Sequence, residues 1–361
     1  MTPASNSPGT TVERFRPPAD DGVLIRLAES GRIPDAILRM AIRHLCRQRL
    51  IEEHARDPAR HQQALRARLA QWRSGPIALA TEAANAQHYE VPAEFFRLVL
   101  GPHLKYSCAL WQDVRTLAQA EEAMLALTCE RAGLADGMRV LDLGCGWGSF
   151  ALYAAARFPK ARITAVSNSA SQRAWILRAA QARGLDNVEV LTADVNAFQP
   201  SQRYDRIVSV EMLEHVRNHE ALFCRLRRWL TDDGALFVHV FCHRELAYPF
   251  ESQGRGDWMA RHFFTGGIMP SFDLFLHYAR DLRVAECWWL SGEHYAKTAA
   301  AWRENLERNR AAVQALFAQT YGRAEAALRY GRWRLFFMAV EEFFGYDRGR
   351  QWGVGHYLLV P

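Results

Sequence analysis

Between residues 23 and about 73, apolar positions recur with a helical rhythm. Leu24, Leu27, Ile37, Leu38, Ile42, Leu45 and Leu50 supply the apolar faces, and arginines fill much of the rest. Gly31 and Pro34 punctuate two helices there, and Gly75-Pro76 closes the region. From Gly137 onward the rhythm changes. Short apolar runs at 138–143, 162–167, 188–193, 204–210 and 235–241 alternate with helical stretches through 157, at about 170–184 and around 220–230. Strands alternating with helices of ten or more residues predict βαβ units and a parallel sheet. Ligands of such sheets sit beyond the carboxyl ends of the strands, so the chemistry is to be sought there.

Residues 245–285 break the alternation with glycines and aromatic residues, among them Gly254, Gly256, Trp258, Phe264 and Gly267, and read as an inserted lid. Helical stretches follow at 295–317 and 324–344, and 354–360 is strand-like. The expected organisation is a flexible tail at 1–22, a helical N-terminal cap at 23–120 and an α/β domain at 121–361. That last domain carries the lid at about 245–285 and a helical region at about 295–344.

Of the 361 residues, 49% are apolar and 23% charged, which excludes a disordered chain, a collagen-like chain and a small disulfide scaffold. No apolar run approaches the roughly 20 residues that span a bilayer, and the first twenty residues lack the apolar core of a secretory signal. The net charge of +6 is modest and dispersed, apart from the short cluster at 225–228, and does not suit nucleic-acid binding. It leaves room for transient contact with an anionic membrane surface. Seven cysteines, an odd number without a C-x-x-C pair, suit reduced thiols in a cytoplasmic protein and no metal site.

The sharpest local signal is V-L-D-L-G-C-G-W-G at 140–148. Glycines at a strand-to-helix turn let the backbone approach a ligand, and the helix start offers N–H donors. Asp142 places a carboxylate beside that turn. The spacing G-x-G-x-G departs from the dinucleotide fingerprint G-x-G-x-x-G. A bare turn needs neither three glycines nor an acid.

D-L-G-C-G-W-G resembles the first motif of class I S-adenosylmethionine-dependent methyltransferases. The flanking blocks Q-H-Y-E-V-P-A-E-F-F (87–96) and L-K-Y-S-C-A (104–109) narrow the resemblance to the cyclopropane fatty acid synthase superfamily. Further blocks are similar to its coclaurine N-methyltransferase-like branch: V-S-N-S-A-S-Q (166–172), V-E-M-L-E-H (210–215), F-V-H-V-F-C-H (237–243), D-W-M (257–259), H-F-F (262–264) and F-G-Y (344–346). The resemblance implies a Rossmann-like seven-stranded sheet with a helical N-terminal segment and an inserted helical lid. It also implies methyl transfer from S-adenosylmethionine to a small-molecule acceptor, an amine nitrogen being the leading choice.

On that reading Asp142, Gly144 and Gly146 would hold the methionyl part of the cofactor, and Tyr106 and Ser107 would close over it. Asn168 and Gln172 would serve the ribose, and Asp194 with Val195 would flank the adenine. Asn168 could equally cap a helix. Glu214 and His215 match residues assigned to deprotonating and positioning the amine; a protonated amine has no lone pair, so a base is needed. Glu211 stands where lipid cyclopropane synthases usually carry glycine, and a buried acid there suits a cationic acceptor. A competing constellation is retained. Cyclopropane synthases bind bicarbonate through a cysteine, a glutamate, a histidine and a tyrosine, matched here by Cys108, Glu214, His239 and Tyr295. Methylene transfer to an unsaturated fatty acyl lipid is therefore the alternative, and a non-catalytic cofactor-binding protein a third. Where plant members carry a pocket-lining aromatic residue, this chain has Arg332, with Tyr330 nearby.

Overall fold

Strands β1 (Arg139–Leu143), β2 (Arg162–Ser167) and β4 (Tyr204–Val210) carry buried apolar residues on both faces of their central positions because helices cover both faces of the sheet, the condition of a parallel sheet. They form the middle of a seven-stranded sheet in the computed structural model, which describes residues 22–78, 91–251 and 258–361. With β3 (Val188–Thr192), β5 (Leu230–His243), β8 (Arg283–Ser291) and β9 (Trp352–Val360), the order is β3-β2-β1-β4-β5-β9-β8. The first five strands run parallel, and β9 pairs antiparallel with both β5 and β8. The chain moves outward from β1 to β3 and returns to β4 on the other side of β1. The crevice opened at that switch lies at the carboxyl ends of β1 and β4, so the glycine turn and Glu211 become neighbours. Leu141, Ile207, Val208 and Val238 are wholly buried at the centre, each burial contributing about 1.5–3 kcal/mol relative to exposure.

The anticipated parallel sheet is present, with several differences around it. A third N-terminal helix, Pro58–Ser74, follows Val23–Glu29 and Asp35–Glu52; Asp57 caps it by accepting the Arg60 N–H. Helix Leu117–Arg131 runs straight through the boundary expected at 120, packing against the glycine-turn helix Ser149–Arg157. The stretch expected as one helix at 295–317 is two, Gly292–Arg308 and Arg310–Tyr321, parted at Asn309. Strand β8 falls where the lid and the loop after it were expected. The lid segment divides in consequence. A two-stranded ribbon of β6 (Tyr248–Pro249) and β7 (Ile268–Met269) and helix Trp258–His262 face the cavity, whereas the 3-10 turn Leu274–Tyr278 joins the core beneath helix His219–Trp229. The tail at 1–21, residues 87–90 of the first upstream block, and Gly254, Gly256 and Asp257 lie outside the described residues.

Helices Val23–Glu29 and Asp35–Glu52 are fastened by charge to the long helix Arg323–Gly345. Arg332 donates to Glu29 at 2.8 Å, Arg39 and Arg43 pair with Glu342, and Arg39 also holds Glu341 at 2.9 Å. Arg332 is thus spent on Glu29, and Tyr330 is buried in the core. No described helix is long and apolar enough to cross a membrane.

Candidate active site

The glycine turn after β1 divides its labour. Gly144, Gly146 and Gly148 all have positive φ, at 85°, 51° and 81°. A Cβ on Gly144 would meet Met212 at 2.7 Å and one on Gly148 would meet Ile176 at 2.7 Å, so these two permit close packing. A Cβ on Gly146 would meet nothing within 4 Å, because this residue forms the floor of a cavity. The Gly144 and Cys145 N–H groups both donate to the Val166 carbonyl, tying the turn to β2.

The cavity encloses about 1100 Å³, room for a cofactor and a small acceptor together. Tyr106, Ser107, Asp142, Gly144, Gly146 and Gln172 line one end. Three buried polar atoms there, Asp142 Oδ2, Ser149 Oγ and Gln172 Nε2, have no hydrogen-bond partner among the described residues. Ser167 fixes the Gln172 amide by donating to its oxygen at 2.5 Å, which leaves the amide nitrogen to donate. Burial lifts the Asp142 carboxyl to about 7, opposed by the N–H of Ala151. An orphaned acid, an orphaned amide donor and an open glycine floor fit a ligand with ammonium and hydroxyl groups, as S-adenosylmethionine has. Asn168, Asp194 and Val195 do not line this cavity. Ser169, not Asn168, caps the next helix; the Asp194 carboxylate accepts the Asn196 N–H at 2.6 Å, and Val195 packs against the core.

At the other side of the switch, Glu211 follows β4 in the left-handed region, φ +47°. A glutamate there costs about 1–2 kcal/mol of backbone strain, and its side chain shows what holds it. Oε1 accepts the Cys108 N–H at 2.9 Å and faces His239 Nε2 at 3.2 Å; Oε2 accepts the Tyr295 hydroxyl at 2.6 Å. Burial raises this carboxyl above its ordinary range, and buried Lys105, the Tyr295 hydroxyl and the Cys108 N–H offset that only in part. Cys108, His239 and Tyr295, the donors matched to a bicarbonate site, therefore converge on a carboxylate supplied by the chain itself. Glu214, the fourth of that set, points elsewhere: one oxygen accepts the Phe241 N–H at 2.8 Å and the carboxyl is buried outside the cavity lining. Burial and the Glu211 charge hold it well above the usual carboxylate range. His215 does line the cavity, and burial, opposed by Glu211, lowers its imidazole to about 4.

Lys105 was legible only as part of a matching block, with no role attached. Its ammonium donates to the Ser107 hydroxyl and, at 2.7 Å, to the Cys108 carbonyl, and so shapes the loop whose N–H reaches Glu211. Its rarity was the available signal, for the chain has only three lysines. The acceptor end of the cavity is aromatic and apolar. Phe250, Trp258, Phe264, Phe336 and Phe344 form its walls, and Leu38, Ile42 and Leu45 its roof. Ring faces around one buried carboxylate suit an organic cation.

The family model described as Mycolic acid cyclopropane synthetase matches residues 79–346. The chain is 38% identical over 342 residues to an (S)-coclaurine N-methyltransferase of Thalictrum flavum subsp. glaucum, covering 93% of this chain and 94% of that one. A crystal structure of coclaurine N-methyltransferase bound to N-methylheliamine and SAH is similar with a TM-score of 0.91 and 35% identity, over 94% of this chain and 99% of that one. A cyclopropane-fatty-acyl-phospholipid synthase of Escherichia coli K12 is 34% identical over 224 residues, 61% of this chain and 55% of that one.

Proposed function

The chain belongs to the mycolic acid cyclopropane synthetase family, and we propose that within it this protein is an S-adenosylmethionine-dependent methyltransferase whose acceptor is the nitrogen of a small amine. The observation that carries the acceptor class is Glu211, a carboxylate with only 9% of its side chain exposed and held by Cys108, His239 and Tyr295 at the wall of an aromatic cavity. Bound S-adenosylmethionine supplies an electrophilic methyl group on its sulfonium sulfur. Asp142 would accept from the cofactor's ammonium and Gln172 would donate to its hydroxyls. Gly146 would leave open space for the cofactor, and Tyr106 and Ser107 would close that end.

Glu211 draws an ammonium-type acceptor into the cavity by opposite charge, between aromatic walls. His215, neutral at physiological pH, takes the proton from the acceptor nitrogen, and Glu211 beside it stabilises the imidazolium that forms. The aromatic walls would orient the freed lone pair toward the cofactor end of the cavity. The same Glu211 carboxylate occupies the donors that a bicarbonate would need, which argues against lipid cyclopropanation.

Incubation with methyl-labelled S-adenosylmethionine and separate pools of heliamine and unsaturated phospholipid, read by product mass spectrometry, tests this. Labelled N-methyl product from the amine pool, unchanged by bicarbonate depletion, is expected, with His215→Asn lowering turnover by about a hundredfold or more. A cyclopropane product that requires bicarbonate would overturn the reading.

A further inference from the structure

His239 and His356 are directly paired across β5 and β9, so their side chains leave the sheet on the same face. Both are buried, His356 completely. His356 Nε2 lies 2.9 Å from His239 Nδ1, and at its other nitrogen Arg131 Nη1 lies 2.8 Å from Nδ1. His239 Nε2 in turn faces Glu211 Oε1 at 3.2 Å. Four side chains from four elements thus form one line, from the end of helix Leu117–Arg131 to the cavity wall.

The line has one direction. A guanidinium only donates, so His356 Nδ1 must accept and its proton sits on Nε2. That proton is donated to His239 Nδ1, which leaves the His239 proton on Nε2, aimed at Glu211. The reverse order would set an N–H of His356 against an N–H of Arg131. A charged His356 would do the same. Burial, with Arg131 and Lys105 nearby, lowers both imidazoles well below the ordinary histidine range, in keeping with one proton each.

We propose that Arg131 and His356 are positioning residues for methyl transfer, because the chain Arg131→His356→His239→Glu211 obliges Glu211 Oε1 to remain an acceptor and so favours the carboxylate form at the cavity wall. The proposal rests on the reading of Glu211 as the counter-charge to an amine, and adds how that charge is kept. The titratable and charged groups facing Glu211 are Lys105 and Cys108 from the loop, Glu214 and His215 from the turn after β4, His239 from β5 and Tyr295 from helix Gly292–Arg308. Among these, His239 is the one whose donor direction is set from outside, by a residue that never touches the acceptor.

Two measurements test this. Imidazole nitrogen NMR of the histidine-labelled parent protein should show His239 and His356 both as Nε2–H tautomers; Nδ1–H on either overturns the proposal, whatever the enzyme methylates. Second, Arg131→Met frees the chain to reverse, letting Glu211 take a proton and donate it to His239. The acid limb of kcat/KM with heliamine should then move up by about one pH unit, while Arg131→Lys, again a pure donor, restores the parent profile. A merely structural Arg131 would change thermal stability alike in both variants and leave the acid limb in place, and that result overturns the proposal. If the parent protein methylates no amine, the functional reading falls, and the histidine resonances still decide the direction of the chain.

Discussion

The Tyr295 hydroxyl donates to Glu211 Oε2 at 2.6 Å from a ring that lies nearly flat on Phe344, with centroids 4.3 Å apart. Stacking fixes the ring, and the fixed ring aims the hydroxyl. Tyr295→Phe keeps the stack and deletes only the donor. A hydrogen bond to a charged group contributes about 1.5–3 kcal/mol, so kcat/KM for the amine is expected to fall roughly 10- to 100-fold with a thermal midpoint shifted by only a few degrees. Equal activity in the variant would separate Glu211 from acceptor binding.

Glu211→Gly removes a side chain from a left-handed position that glycine adopts freely, and it leaves the Cys108 N–H, His239 and Tyr295 without their shared acceptor. A small carboxylate-like anion has the shape and charge to fill that gap. The variant is expected to lose amine binding, and millimolar bicarbonate should raise its thermal midpoint. The parent, whose donors are already engaged, should not respond. A parent protein stabilised by bicarbonate to the same degree would contradict the account of the site.

Gly146 tests the cofactor floor. Gly146→Val places a branched side chain in the open space beneath the bound cofactor and is expected to weaken binding of S-adenosylhomocysteine more than a hundredfold by calorimetry. Gly137 provides the control. It too has positive φ (+85°) with nothing within 4 Å of an added Cβ, but it lies before β1, outside the cavity lining. Gly137→Ala should show the strain of a side chain in the left-handed region and bind the ligand normally.

Asp142 links cofactor binding to pH. Burial raises its carboxyl to about 7 in the free protein, from an ordinary value of about 4. Below about pH 7 its neutral form is therefore the favoured one. The contribution of this group to stability is complete below about pH 4 and disappears as the pH rises through about 7. An ammonium placed beside Oδ2 favours the carboxylate instead, so binding between those pH values releases a proton. Affinity for S-adenosylmethionine should climb about tenfold per unit from pH 5 to 7 and then level off. Calorimetry in buffers of different ionisation enthalpy reads the released proton, and Asp142→Asn should abolish both effects. Parent binding without proton release would show that Asp142 does not face the ammonium.

The central strands were legible because double-sided burial leaves short apolar clusters at their hearts, as in Ile207-Val208 of β4 and Ala165-Val166 of β2. Strand β8 was not. It lies at the sheet edge with most of its residues exposed or half-buried, and R-V-A-E-C-W-W-L-S carries neither a run nor a clean alternation. The glycine turn and the E-M-L-E-H block were readable as local motifs, and their juxtaposition follows from the strand order. The division between Glu211 and Glu214 was not readable. The resemblance assigns the acceptor's proton to Glu214 and its charge to Glu211, but only the fold shows that the left-handed turn at Glu211 sends that side chain toward the cavity wall and leaves Glu214 on the Phe241 N–H. His356 was hidden for a further reason. Its meaning depends on which residue of β5 stands opposite, and an antiparallel register joining positions more than a hundred residues apart has no local signature.

The ion pairs that fasten the N-terminal helices also govern how the enzyme can diversify. The catalytic floor is built from strand ends deep in the sheet, where a change in one residue disturbs many neighbours. The roof is two helices latched to Arg323–Gly345 by Glu29–Arg332, Asp35–Arg334 and the Arg39 and Arg43 pairs, and Glu29 also receives the indole N–H of Trp258 at 3.0 Å. Latches of this kind tolerate substitution of the residues between them. A chimera exchanging residues 22–52 while keeping the latch charges is expected to change which amines are methylated while leaving S-adenosylhomocysteine binding at the strand ends unaltered, as calorimetry would show.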